Sequence, residues 1–125
     1  MRKLKWFLLC GFLFIALPAR AQAHSATLTW TESTTCASPC TITFNVFRGT
    51  SPGGESSTPL NASPLTVMSY VDTVTLGSSA QTFYYTVKAV ETSGSIVQTS
   101  APSTEVSGTF PSSTIAAPTV TITVQ

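Results

Sequence analysis

The 125-residue sequence is poor in charged side chains, and most of its few cations lie at one end. Only 9% of the residues are charged. Four of the six basic residues fall within the first 20 positions: Arg2, Lys3, Lys5 and Arg20. Nucleic acids and anionic lipid surfaces are bound by clustered cations. Because Arg48 and Lys88 stand alone in the rest of the chain, the sequence predicts no nucleic-acid partner.

Groups for catalysis are also scarce. His24 is the single histidine, so a copper oxygenase site, which would need a second one, is incomplete. Glycoside hydrolysis needs two carboxylates that flank one cleft, and no nucleophile stands beside a base as a triad requires. The acids are spread one per segment: Glu32, Glu55, Asp72, Glu91 and Glu105. We therefore expect no enzyme, no cofactor and no metal, and we expect Asp72 to cap a turn after Tyr70.

The first 23 residues are typical of a secretory signal peptide. A basic start precedes an uncharged apolar run over residues 6–17, Pro18 ends it, and Ala21-Gln22-Ala23 is a small-x-small cleavage site. The run is shorter than the roughly 20 residues of a spanning helix. A lipoprotein site at Cys10 is disfavoured because Leu9 before it is not small. We expect cleavage after Ala23 and a secreted chain (extracellular, periplasmic or cell-surface) with no membrane span.

Cysteine is rare, and two of the three cysteines lie close together after the leader. Cys36 and Cys40 form an even pair, which favours a disulfide in an exported chain. Their spacing lets the two Cα atoms come within bridging distance. A zinc site would need four ligands, and no other cysteine or histidine lies nearby. We predict a structural disulfide that pins the loop after Trp30.

A helical period of 3.6 residues is missing beyond the leader, and strict alternation takes its place. It is clearest over residues 82–90, where Phe83, Tyr85 and Val87 share one face and Tyr84 and Lys88 the other. Other extended segments are predicted at 24–31, 41–48, 66–75, 96–110 (interrupted at Pro102) and 119–125, with 55–65 a ragged edge strand at best. Short strands between turns predict an all-β, two-sheet antiparallel sandwich.

The same alternation divides the side chains into a core and a surface. Phe47 and Tyr84 are predicted to face outward, as a candidate binding surface for sugar or protein. The inward-facing positions form the predicted core: Leu28, Trp30, Phe44, Val46, Tyr70, Phe83, Tyr85 and Val87. Asn61-Ala62-Ser63 matches a glycosylation sequon and receives little weight, since Pro64 follows it.

Several segments stand in a set order: Leu28-Thr29-Trp30, Phe44-Asn45-Val46-Phe47-Arg48, Ser69-Tyr70-Val71-Asp72, Phe83-Tyr84-Tyr85-Thr86-Val87-Lys88-Ala89-Val90, and Ser100-Ala101-Pro102-Ser103 before Glu105-Val106. Together, over residues 25–111, they resemble a fibronectin type III domain of the kind found in exported bacterial proteins. The resemblance implies an immunoglobulin-like sandwich at 24–111, followed by a linker and strand at 112–125. It also implies a non-catalytic module for protein interaction, adhesion or spacing, or a glycan-binding accessory to secreted hydrolases.

The chain departs from that family at two places. Phe83 stands where a tyrosine usually ties down a corner, which would cost about 1 kcal/mol for the missing hydrogen bond. The first strand is absent, because Leu28-Thr29-Trp30 belongs to the second and only four residues of the mature chain precede it. The loop at 91–95 lacks the Arg-Gly-Asp of integrin-binding members.

A surplus strand balances the missing one. In residues 119–125, Val120, Ile122 and Val124 alternate with polar residues, like a first strand of the family. Three alternatives follow. The tail folds back on its own domain, enters a second copy to form a homo-oligomer by strand donation, or is the remnant of a following domain and hangs loose.

Overall fold

A computed structural model describes residues 21–32 and 35–112 of the chain. It contains six strands: β1 (Gln22–Thr29), β2 (Thr41–Gly49), β3 (Ser69–Leu76), β4 (Gln81–Ser93), β5 (Ile96–Thr99) and β6 (Val106–Phe110). No helix occurs within these ranges, and none there could cross a membrane. The all-β prediction is confirmed. The predicted strand at residues 119–125, with Val120, Ile122 and Val124, lies outside the described residues.

The strands form two antiparallel sheets. Sheet A consists of β1 and β3, paired from Gln22 opposite Leu76 to Thr29 opposite Ser69. Sheet B places β2 on one side of β4, while β5 and β6 share the other side. β6 pairs with the first half of β4, and β5 pairs with its end. This arrangement is consistent with the predicted sandwich.

The interruption predicted at Pro102 separates β5 from β6. Across this gap, two serines keep the chain bonded to β4. Ser100 N–H donates to the Ala89 carbonyl and Ser103 N–H to the Val87 carbonyl. Their hydroxyls accept hydrogen bonds from Ala89 N–H and Val87 N–H. The serine side chains thus replace the backbone acceptors that an interrupted strand cannot supply.

The core lies between the sheets. Its buried centre consists of Val46, Val74, Phe83, Tyr85 and Phe110. Of the predicted core, Phe44, Val46, Phe83 and Tyr85 are buried, and the rest is partly buried and packed against this centre: Leu28, Trp30, Tyr70 and Val87. Two aromatic pairs pack edge to face, Trp30 with Phe44 and Phe83 with Phe110. The ring centroids are 5.5 Å apart in each pair. Phe110 was not among the predicted core residues.

The segment between β2 and β3 forms no strand, in keeping with its three prolines, Pro52, Pro59 and Pro64. It touches β2 through two isolated bridges, Gly49 to Glu55 and Phe44 to Leu65. Gly49 is required at the first of these, because a Cβ there would lie 2.5 Å from the Gly54 carbonyl oxygen. Asn61 is buried between the two bridges. The segment is therefore held to β2 by isolated backbone hydrogen bonds and by the Asn61 side chain rather than by a regular ladder.

Several strand boundaries differ from the sequence prediction; β3, for example, begins at Ser69 rather than at residue 66. β4 continues to Ser93, because Thr92 and Ser93 pair with Val97 and Ile96. The predicted loop at 91–95 is thus a tight turn, with Gly94 at a φ of +60°, a backbone conformation that glycine adopts readily. At the other end, β1 begins at Gln22, before the predicted cleavage point.

Candidate strand-binding groove

The predicted aromatic platform on the outer face of sheet B is not formed as expected. Phe47 points away from the core, as the alternation predicts, but only 8% of it is exposed. The Lys88 ammonium lies 5.1 Å from the centre of its ring, and Phe47 lines a hollow together with Glu55 and Pro102. Tyr84 is half-buried. The prediction of an exposed Phe47 was wrong, because the alternation of one strand cannot show what a distant loop covers.

Asp72 corrects a second expectation. It lies within β3, 4% exposed, and caps no turn. Its carboxylate accepts two hydrogen bonds from Arg48 Nη1, at 2.7 and 3.0 Å, and one from the Tyr85 hydroxyl at 2.8 Å. Arg48 and Tyr85 are neighbours on β2 and β4. The Arg48–Asp72–Tyr85 cluster therefore ties sheet B to sheet A through the core.

Phe83 completes this cluster. The Arg48 guanidinium carbon lies 4.7 Å from the centre of the Phe83 ring, close enough for a cation–π contact. Phe83 therefore contributes a cation–π contact with Arg48. The tyrosine hydroxyl that forms a hydrogen bond in this cluster is that of Tyr85. Since each charge has a partner and the phenol donates to a carboxylate, the cluster is suited to stabilising the fold.

The Arg48–Asp72–Tyr85 cluster should make the free energy of unfolding fall at alkaline pH. Burial, and next the hydrogen bond to Asp72, raise the pKa of Tyr85 well above its usual value of about 10. The Tyr85 phenol contributes fully to the free energy of unfolding below about pH 10, the pKa of an unfolded tyrosine. The contribution falls as the pH rises above about 10, because the phenol ionises in the unfolded chain before it ionises in the folded one. We expect about 1.4 kcal/mol less stability at about pH 11 from this group alone.

Urea unfolding at about pH 9 and about pH 11 measures this effect. A Tyr85→Phe variant is the control, because the other tyrosines are common to both proteins and their contributions cancel. The expected result is a steeper loss of stability in the unaltered chain. An equal loss in both proteins would contradict the assignment.

At the far end of β4, the structure brings together groups that are distant in sequence. Cys36 and Cys40 form the predicted disulfide, with Cα atoms 5.8 Å apart. Glu91 Oε1 lies 3.5 Å from Cys40 Sγ, and Glu32 and Glu91 line one hollow of about 210 Å³. The sulfur and carboxylate atoms would be close enough to share a metal ion, but a disulfide offers no thiolate ligand.

From Ser25 to Thr29, the second edge of β1 pairs with no other described strand. Sheet A has only two strands in the described ranges, and β1 pairs there with β3 alone. A two-stranded sheet is marginal by itself, and an unpaired edge is a template for another strand. This is the edge that the resemblance assigns to the missing first strand.

Two hollows follow one another between β1 and β6, a third continues beyond the end of β1 from Trp30, and we call the three together the β1 groove. The first holds His24 and Ala26 opposite Gly108 and Phe110, about 210 Å³. The second, about 310 Å³, is lined by Leu28 and Trp30 opposite Val106, with Tyr85 and Val87 at the same level. The third, about 220 Å³, continues from Trp30 past Phe44 to Ser100. β1 and β6 therefore run in opposite directions along the two sides of the groove.

The backbone of the open edge can be assigned from one hydrogen bond. Trp30 N–H donates to the carbonyl of Met68, which lies directly opposite. Bonded and non-bonded pairs alternate along an antiparallel ladder. The residues of β1 whose side chains face outward, Ser25, Thr27 and Thr29, therefore direct their N–H and C=O groups to the free edge.

Two ring nitrogens in the groove have no partner among the described residues. They are His24 Nε2 and Trp30 Nε1, and both atoms are buried. An indole N–H can only donate, and a buried donor without an acceptor costs about 1–3 kcal/mol. Both residues line hollows of the groove, so its walls contain unmet hydrogen-bonding capacity as well as apolar surface.

Comparisons with known proteins add no assignment. No family model, no curated protein and no solved structure matches this chain. The resemblance to fibronectin type III domains therefore stays a prediction from sequence.

Proposed function

We propose that this protein is an exported, non-catalytic module of the fibronectin type III kind that binds a partner protein along β1. The observation that carries this proposal is the edge of β1 around Thr27, which pairs with no described strand and lies beside a largely apolar hollow. A partner would contribute one extended segment, which adds a strand to sheet A.

The physical basis is strand addition. Main-chain hydrogen bonds to the free edge give affinity, and pockets for alternate side chains give specificity. Here the edge offers the N–H and C=O groups of Ser25, Thr27 and Thr29, while Leu28, Trp30 and Val106 offer apolar surface. The matching partner segment alternates apolar and small polar residues and carries no charge toward the groove.

The two other functions that the sequence suggests can be weighed against the same structure. Self-assembly by strand donation would use the same groove, with the tail of a second copy as the partner segment. Glycan binding loses its best candidate surface, because Phe47 is buried rather than exposed. The groove thus favours an extended polypeptide over a sugar.

A substitution at the free edge tests the proposal. Thr27→Pro removes one N–H from the free edge and none from the ladder with β3, and proline is tolerated on edge strands. Short peptides selected from a random library on the processed chain serve as probes. We expect them to alternate in polarity and to bind Thr27→Pro about tenfold more weakly, since a backbone hydrogen bond and close approach are lost.

Thr27→Val is the matched control, because it keeps the N–H and the branched shape of threonine. It should bind like the unaltered chain. Trp30, the single tryptophan after the leader, reports occupancy by its fluorescence. Selected peptides that bind both variants equally would show that the binding surface lies elsewhere.

A further inference from the structure

We infer that the β1 groove is occupied by the chain's own segment 119–125, which a partner must displace. This inference rests on the proposed function, since it names what competes for the same groove. It makes the tail both the missing strand of sheet A and an internal competitor that sets the threshold for binding.

The chain leaves the last described strand, β6, beside the start of β1. β6 ends at Phe110, and Pro111 lines the first hollow together with His24. The rings of His24 and Phe110 lie 6.5 Å apart. The remaining residues therefore start at the mouth of the groove.

Segment 119–125 matches the β1 groove in charge, in the alternation of its side chains and in length. Residues 113–125 contain no charged side chain, which suits the apolar surface of Leu28, Trp30 and Val106 in the second hollow. Val120, Ile122 and Val124 alternate with threonines, so one face of a strand would be apolar and the other polar. Seven residues are nearly the length of the eight-residue β1.

The direction of the segment follows from the end of the groove at which it enters. The chain leaves at the end where β1 begins, so a segment that enters there runs parallel to β1 and antiparallel to β6. To pair antiparallel to β1, the chain must first cross to the Trp30 end. That distance is about 23 Å for eight residues of strand, while residues 113–118 span at most about 22 Å even when fully extended. Entry at the near end needs no such extension.

The chain's own tail and the tail of a second copy differ in their concentration at the groove. A segment tethered by a short linker has an effective concentration in the millimolar range. A second copy reaches the groove only at its bulk concentration. The tethered segment therefore prevails in dilute solution, and the protein stays a monomer whose groove is filled.

Two variants of the processed chain test this inference. Ile122→Asp places a charge on the face that would enter the groove, and Thr121→Asp places the same charge on the opposite face as its matched control. We expect Ile122→Asp to shift Trp30 emission to the red, to raise its quenching by acrylamide, and to tighten binding of the selected peptides. Thr121→Asp should leave all three unchanged.

Rescue distinguishes an emptied groove from a damaged fold. A synthetic peptide with the sequence of residues 119–125 should restore the Trp30 emission of Ile122→Asp. Sedimentation velocity over about a hundredfold range of concentration should show monomers throughout. Trp30 emission that does not respond to Ile122→Asp would overturn the inference, and so would a response that appears only where dimers form.

The outcomes also separate this inference from the proposed function. If selected peptides bind at Thr27 while Ile122→Asp has no effect, the groove binds partners and the tail is not its occupant. If the tail protects Trp30 but no selected peptide displaces it, the segment completes the fold and the proposed function fails.

Discussion

Asp72→Ala is expected to lower the free energy of unfolding by about 3 kcal/mol, within the roughly 3–5 kcal/mol found when one partner of a buried ion pair is removed. The variant leaves Arg48 facing the core without its carboxylate and takes away the acceptor of the Tyr85 hydroxyl. We expect the lower end of that range because the Arg48 side chain keeps 28% of its exposure to water. Urea unfolding at neutral pH measures the loss.

Glu105→Ala is the control for this prediction. Glu105 also accepts a hydrogen bond, from Gly53 N–H at 2.6 Å, but it does so in an exposed site. Its removal should cost under about 1 kcal/mol. The double variant Arg48→Met with Asp72→Leu should regain much of the stability, since apolar pairs of similar size often replace buried ion pairs without loss. A small effect of Asp72→Ala would show that the cluster does not hold the sheets together.

Asn61→Ala is expected to cost about 2–4 kcal/mol, because it strands a buried backbone donor and releases the segment between β2 and β3. The Asn61 side chain accepts from Val46 N–H at 2.8 Å, and Val46 is fully buried. Its amide donates to the Ser63 carbonyl and to Asn45 Oδ1, each at 2.9 Å. The carbonyl of Phe44, which it also contacts, keeps a second donor in Leu65 N–H.

Ser63→Ala provides the matched control for Asn61→Ala. It destroys the Asn61-Ala62-Ser63 sequon but keeps the backbone carbonyl that Asn61 contacts. Thermal unfolding of the two variants should separate them clearly, with Ser63→Ala close to the unaltered chain. Equal losses would mean that the asparagine acts through the sequon rather than through its hydrogen bonds. The buried amide already argues against a glycan at this position.

Alternation predicted the inward face of the strands correctly, although it could not predict that Phe47 on the outer face is buried. Phe83, Tyr85 and Val46 were placed in the core by their parity on a strand, and the structure confirms them there. The break at Pro102 was equally local, because proline cannot donate to a ladder. The disulfide between Cys36 and Cys40 followed from spacing. Each of these needed only neighbouring residues in the chain.

The groove could be anticipated only in outline. The resemblance to fibronectin type III domains predicted a missing first strand, because only four residues of the expected mature chain precede Leu28. The hollows on that side, and the unpartnered nitrogens of His24 and Trp30, depend on how sheet A and sheet B lie against each other. Phe110 was missed because its partner, Phe83, is 27 positions away, and only the pairing of β4 with β6 brings them together.

By itself, the sequence determined the two-residue period, and therefore which face of each strand is apolar and that the fold consists of sheets. It could not determine which polar groups meet across those sheets. Arg48 and Asp72 lie 24 positions apart, and nothing local marks either as a partner of the other. Only the tertiary structure decides such pairs, because a buried charge is stable where a second strand delivers the opposite charge at hydrogen-bonding distance.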